Sequence, residues 1–364
     1  MVLILRPEDT RGLISMAEAV EATEVAFRDW GHNRGLDAPR RRIHAPSGVR
    51  VSVHQGAAPS FGATGLFTHC EWVRPLAEHQ VYPNIAHPAY VLFSSANGDL
   101  ETIIIGELTP SEWPDVKALT GVRTAATSVV GTRLLAREGA ATIGLFGGGQ
   151  QSKIHLAALL AVMPIQRVKV YRRDPRKRAE FADEVGEVLG LQVEPVSSAR
   201  ECVRDIDVIL AATNSSVPVF DGAWLEPGQH VTSIVGSNVG LVQAGFTPRK
   251  RREIDDTTLT RADVIVVANK EQVAQDQQGD LWDPAQAGVI SLEDVHDLGE
   301  VLAGLSPGRT SAEQITLYKN NAGQGIADVA IGARVAARAR ERGLGFELPI
   351  AERASDSITP DPVG

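Results

Sequence analysis

Apolar positions follow two different rhythms along the chain. Over the first third they come in short runs broken by Gly, Pro and Asn: Val51–Val53, Gly65–Phe67, Tyr90–Phe93 and Thr102–Ile105. Short apolar runs bounded by turn residues predict a β-rich segment from about residue 40 to residue 106. Asn97-Gly98, between two of these runs, predicts a hairpin turn. Ahead of this segment Val2–Leu5 reads as a short strand and Met16–Trp30 as an amphipathic helix. In that helix Ala17, Val20, Val25 and Phe27 recur near helical spacing among Glu18, Glu21 and Glu24.

After a helix predicted over Ala118–Arg137 the pattern alternates. Thr142–Phe146, Val168–Tyr171, Val208–Ala212, His230–Val235 and Val264–Ala268 read as buried strands. Ser152–Met163, closed by Pro164, and Pro175–Leu189 read as helices between them. Such alternation predicts an α/β fold, a Rossmann-type doubly wound domain with a parallel sheet covered on both faces. A long Ala-rich helix over Gln324–Arg342 follows, and residues 351–364 form a polar tail.

One junction in the alternating part carries chemistry. Thr142-Ile-Gly-Leu-Phe-Gly147-Gly-Gly149-Gln150-Gln151-Ser152 joins a strand to a helix inside a βαβ unit of about 30 residues. Gly147 allows a tight turn, and Gly149 lets backbone amides come close to a pyrophosphate. The following helix, with Gln150 and Gln151 in its first turn, aims its dipole at that charge. Ser152 takes the third small-residue place. Thr213 and Asn214 follow a later strand, at the carboxyl edge where open sheets bind ligands.

The end of the second strand bears on which dinucleotide binds. Val170-Tyr171-Arg172-Arg173-Asp174-Pro175 puts two arginines where an NAD site would place an acid. Arg172 and Arg173 therefore favour NADP(H), with NAD(H) the alternative. Asp174, just before Pro175, also reads as a helix N-cap.

Composition removes other classes. The 364 residues exceed one hydrophobic core and suffice for two domains. A net charge of −9 argues against a general nucleic-acid binder, because phosphate backbones demand a basic surface. Cys70 and Cys202 make neither a disulfide framework nor a zinc spacing, so no metal is expected. No apolar stretch approaches the ~20 residues that span a bilayer. Val2–Leu5, followed by Arg6, Pro7 and Glu8, is too short for a signal-peptide core. A cytoplasmic protein is expected, with no membrane partner.

The glycine turn Gly147-Gly-Gly149-Gln-Gln151-Ser-Lys-Ile-His155 stands some two dozen residues after Leu119-Thr-Gly-Val-Arg123-Thr-Ala-Ala126-Thr-Ser128. Together they resemble the ornithine cyclodeaminase/mu-crystallin family, with its G-x-G-x-Q-A-x-x-H turn and R-T-A-A helix start. Ala38-Pro39-Arg40-Arg41, Val235-Gly236-Ser237, Arg252-Glu253-Ile254-Asp255, Gln278-Gly279-Asp280 and Leu317-Tyr318-Lys319 extend the likeness to about Leu348. The resemblance implies a homodimer whose subunit has two domains. Residues 1–128 with 316–350 would form an α+β substrate-binding and dimerisation domain around an inserted Rossmann domain at 129–315. It also implies a substrate carboxylate held by Arg41, by the residue at 67 and by Arg123. At 67 the family lysine is replaced by Phe67, and where cyclodeaminases carry an aspartate this chain has Asn238. Asparagine cannot act as a general base, which disfavours ring-forming deamination.

Hydride chemistry needs a proton-transfer group near the reacting carbon. His54, His69 and His87 are the candidates in the β-rich segment. His69 ranks first, because two residues beyond Phe67 it shares that residue's face of a strand. Lys319, ahead of Asn320-Asn321, is a further candidate, whereas His155 is better explained by packing of the Rossmann helix. Arg123 reads either as an anion ligand or as half of a buried ion pair. The expected function is an NAD(P)H-dependent reductase of an imine or keto substrate bearing a carboxylate. Its rivals are a cyclodeaminase-type ammonia lyase that recycles its dinucleotide and a non-catalytic NADP(H)-binding protein.

Overall fold

The computed structural model describes residues 1–72, 84–85, 88–117, 120–237, 239–245, 247–321 and 323–350. His87, Asn238 and the tail at 351–364 lie outside the described residues.

Two sheets organise the chain. In the first, the strands run in the order Phe346–Leu348, Val2–Leu5, Leu100–Ile105, Ala89–Ser94, Ala63–Trp72, Val49–Ala58 and Leu36–His44, with Asn84–Ile85 paired to Ala63–Trp72. The short apolar runs of the sequence are the centres of longer strands, because antiparallel pairing carries polar flanks into the ladder. The hairpin at Asn97-Gly98 forms, and its turn is wider than two residues: Ser94 N–H bonds Asp99 O and Gly98 N–H bonds Ser94 O.

The inner face of this sheet is covered by one helix, and a second packs on that helix. Met16–Gly31 is started by a capping box between Ser15 and Glu18. Gly325–Glu341 returns from the far end of the chain and lies across Val49–Ala58 and Ala63–Trp72. Its first turn touches the sheet backbone. A Cβ on Gly56 would sit 2.2 Å from Ile326 N, and one on Gly325 would sit 2.2 Å from Gln55 O. Two facing glycines let the helix start descend to the strand, bringing Asp328 within reach of the sheet's side chains.

The second sheet is parallel throughout, in the order Gln192–Pro195, Arg167–Tyr171, Thr142–Gly147, Val208–Ala212, His230–Ser233, Thr316–Lys319, Val264–Val267 and Val295–Asp297. Strand order reverses between Thr142–Gly147 and Val208–Ala212, which makes their carboxyl ends the switch point of the doubly wound sheet. The expected boundary at 316 needs correcting. Thr316–Lys319 is a fully buried strand inside the parallel sheet, and the chain returns to the first layer only after it. Its apolar signal is too short to assign from sequence, since only the pairing of both edges defines it. Gly121–Leu135 packs between the layers, against Met16–Gly31, Gln150–Val162 and the strand Thr316–Lys319.

Candidate active site

The glycine turn joins strand to helix, as the sequence predicts, and lies at the switch point of the sheet. Gly147 has φ +129°, and a Cβ there would meet Ala212 O at 2.4 Å and Ser152 Oγ at 2.8 Å. Only glycine fits. Gly149 caps the helix Gln150–Val162, and a Cβ on it would meet nothing within 4 Å, so the space above the helix start is open. Open space over the unpaired amides of a helix N-terminus is the cradle a diphosphate requires. Gln150 is exposed at this edge and Gln151 half-buried. Ser152 is fully buried against Ala212 O, acting as the small packing residue. A dinucleotide fits these residues.

The remaining cofactor candidates divide. Arg172 lies over the turn, its Nη1 donating to Gly148 O at 3.2 Å, whereas Arg173 points to solvent. Asp174 is the N-cap of Pro175–Leu189, accepting from Lys177 N. Asn214 is exposed at the carboxyl edge. Thr213 turns inward, its hydroxyl donating to Glu253 Oε1 at 2.7 Å.

Lys319 has a different task from the one expected. Its Nζ is fully buried and donates to Ser233 Oγ (2.8 Å), Val235 O (2.8 Å) and Asp280 Oδ2 (2.6 Å). Glu253 Oε2 accepts from the amides of Ile234 and Val235 in the same knot. Burial pushes the Glu253 carboxyl upward while the Lys319 charge opposes the shift. The knot fixes the ends of three parallel strands and leaves Lys319 no donor for a substrate. His155 is also structural, its Nδ1 on Gln151 O and its Nε2 on Ser128 Oγ, as expected.

The first sheet presents a row of inward side chains toward the helix Gly325–Glu341. Tyr90, Phe67 and His54 stand side by side, paired in register across three strands. Phe67 and His69 do share a face, and both are buried. Arg41 does not join them. The pairing of Leu36–His44 slips between Ala38 and Arg41, so Arg40 is buried and Arg41 is exposed. The shift that a bulge introduces is invisible in the run Arg40-Arg41-Arg42. Arg40 pairs with Asp276, and Arg42 lies 3.7 Å from the same carboxylate.

Arg123 meets both of its readings. Nε donates to Asp328 Oδ1 at 3.1 Å and Nη1 to Gln324 Oε1 at 3.4 Å, so it is half of a buried ion pair. Its Nη2 donates to nothing among the described residues and remains for an anion. Asp328 Oδ2 is 2.9 Å from His54 Nδ1. Burial raises the Asp328 carboxyl to about 6 against the pull of Arg123. Burial likewise drives His54 well below its ordinary value, and the charges of Arg123, Arg40 and Arg42 add to that. His69 is lowered to about 2, by burial first and by His54 next; its Nδ1 has no hydrogen-bond partner and lies 3.6 Å from Glu71 Oε1.

Asp328, Arg40 and Gln324 are site residues that sequence reasoning missed. The available signal for Asp328 was a lone carboxylate in the otherwise apolar helix face Gly325-Ile326-Ala327-Asp328-Val329-Ala330. The two sides of the cleft are joined by hydrogen bonds: His155 Nε2 to Ser128 Oγ, Asn320 Nδ2 to Ser128 Oγ, Gln324 Nε2 to Asn320 Oδ1, and Arg123 to Gln324.

A family model matches residues 2–343, which takes in the parallel sheet and all of the first sheet except its edge strand Phe346–Leu348. The chain belongs to the ornithine cyclodeaminase/mu-crystallin family. A Δ1-pyrroline-2-carboxylate reductase of this kind from Bacillus cereus is 34% identical over 95% of this chain and 99% of its own. Among solved structures, the Δ1-pyrroline-2-carboxylate reductase of Thermococcus litoralis, in complex with NADH and L-proline, is 26% identical. It covers 95% of this chain and 100% of its own with a TM-score of 0.80. An archaeal alanine dehydrogenase dimer with bound NAD is 28% identical and covers 96% and 99%, with a TM-score of 0.78. The family resemblance read from the Gly147 turn and the Arg123 helix start is borne out. Among the described residues no three His, Cys, Asp or Glu side chains are grouped to hold a metal ion. No helix among them is long and apolar enough to cross a membrane.

Proposed function

We propose that this protein is an NAD(P)H-dependent reductase of an imine or keto substrate bearing a carboxylate, working as a homodimer. The observation that carries the reading is the pairing of two sites. The diphosphate cradle at Gly147–Gly149 is tied through one hydrogen-bond chain to Arg123, whose Nη2 has no partner among the described residues. When bound, a reduced nicotinamide supplies hydride to the substrate carbon. Arg123 holds the carboxylate, and Arg40 and Arg42 add positive potential from the neighbouring strand. The relatives named for reducing Δ1-pyrroline-2-carboxylate support a cyclic imine acid as the first substrate to try.

Arg172 over Gly148 supports NADP(H), since a guanidinium beside the turn suits a 2′-phosphate. Cofactor oxidation is to be followed with NADPH and NADH against Δ1-pyrroline-2-carboxylate, other cyclic imine acids, and 2-keto acids with and without amines. Turnover on at least one carboxylate substrate is expected, and silence across the whole panel defeats the reading. Arg172→Ala should weaken NADPH about tenfold or more (~1.4 kcal/mol) and NADH little. Equal losses would remove the preference for NADP(H).

A further inference from the structure

Phe67 places an aromatic ring, with no charge and no hydrogen-bond donor, on the inner face of the first sheet, and His54 stands beside it. The two rings lie 5.3 Å apart, and His69 packs edge-on to His54 at 5.8 Å. His54 is 1% exposed; its Nδ1 is bonded to Asp328 Oδ2, and its Nε2 is enclosed with no partner. Asp328 is itself held by the Arg123 guanidinium, which favours the ionised carboxylate. An ionised carboxylate only accepts, so the ring hydrogen of a neutral His54 sits on Nδ1 and Nε2 presents a lone pair.

Resting on the reductase reading above, we propose that His54, locked in this tautomer by Asp328, makes the pocket select a protonated imine over a carbonyl. The iminium N–H donates to His54 Nε2. A keto oxygen has no hydrogen to give and would set lone pair against lone pair, leaving two enclosed acceptors unpaired. On reduction of the carbon, the C=N π pair moves onto nitrogen and cancels its charge. The product is a neutral amine that keeps its N–H on Nε2 and takes a proton from water on release. In the reverse direction Nε2 receives the ammonium proton, and Asp328 offsets the charge on the ring. The groups facing His54 are Asp328 and Arg123 from the helices, Phe67 and His69 from one strand, and Arg40 and Arg42 from the other. Burial and those arginines keep the ring neutral, so the substrate must bring the proton.

Two measurements on the full chain test this. The first compares kcat/KM for Δ1-pyrroline-2-carboxylate with that for pyruvate without amine. The parent should prefer the imine by at least ~100-fold. His54→Gln, whose amide can turn its N–H toward the substrate, should narrow the ratio by at least ~10-fold. His54→Asn keeps an amide at the Nδ1 position and no atom at Nε2. It should lose ~100-fold in imine kcat with cofactor affinity unchanged, and it serves should the Gln variant not fold. The second records imidazole ¹⁵N resonances at neutral pH. His54 should show the Nδ1–H tautomer, with Nε2 shifting when L-proline and the oxidised cofactor are added. An unaltered imine-to-keto ratio in an active His54→Gln protein overturns the proposal, as does an Nε2–H or doubly protonated ring. A parent without turnover on any substrate instead defeats the reductase reading on which it rests.

Discussion

Glu107 shows at a single side chain what burying a carboxylate with one unpartnered oxygen does. Its Oε2 accepts from the Thr120 amide at 3.0 Å, while Oε1 is enclosed without a partner. Burial raises the carboxyl from 4.5 to about 8, with Asp328 adding to the shift and Thr120 and Arg123 opposing it. A folded value above the unfolded one means that the native state prefers the protonated acid. Glu107's contribution to stability is therefore full below about 4.5 and is lost as pH climbs through about 8. The melting temperature of the parent should fall between pH 6 and pH 9. Glu107→Gln, neutral throughout, should remove part of that slope and gain on the order of 5 °C at pH 9. Identical slopes in the two proteins would show that Glu107 does not titrate there. Asp328, raised to about 6, works in the same direction at lower pH.

At the scale of elements, much of the fold was legible. The run Thr142–Phe146 and the glycine turn identify a strand, a turn and a helix together, because each is dictated locally. What stayed hidden depends on partners distant in sequence. Whether Arg40 or Arg41 faces the cleft is decided by a slip against Val49–Ala58, and Thr316–Lys319 becomes a strand only between two neighbours. Lys319 looked reactive because nothing local reveals Asp280 waiting for it. His54, one of three histidine candidates, stands out only once Asp328 arrives from the last helix. The turn itself allows a paired test. Gly147→Ala should lower the melting temperature and weaken the coenzyme at least ~10-fold, since its Cβ has no room. Gly149→Ala has open space and φ −98°, so it should fold like the parent and lose affinity alone. Unchanged coenzyme binding in Gly149→Ala, read by calorimetry, would mean that no diphosphate approaches there.

For the whole molecule, the outer side of the first sheet carries an apolar patch. Leu66, Val91 and Ile103 line up across three strands on the face away from the helices, and Val51 and Val53 extend the patch. All five are half-buried in the isolated chain. A contiguous apolar sheet face of this kind suits burial against a second copy. Val91→Asp should turn a dimer into a monomer in sedimentation, with the parent remaining dimeric; a monomeric parent would refute the assembly.

The cleft is bordered by two crossings between the layers, the helix Gly121–Leu135 going in and the segment after Thr316–Lys319 coming back. Asn320 rivets one to the other through Thr124 O and Ser128 Oγ, both at 2.9 Å. Sliding one crossing along the other is thereby tied to the loss of both bonds.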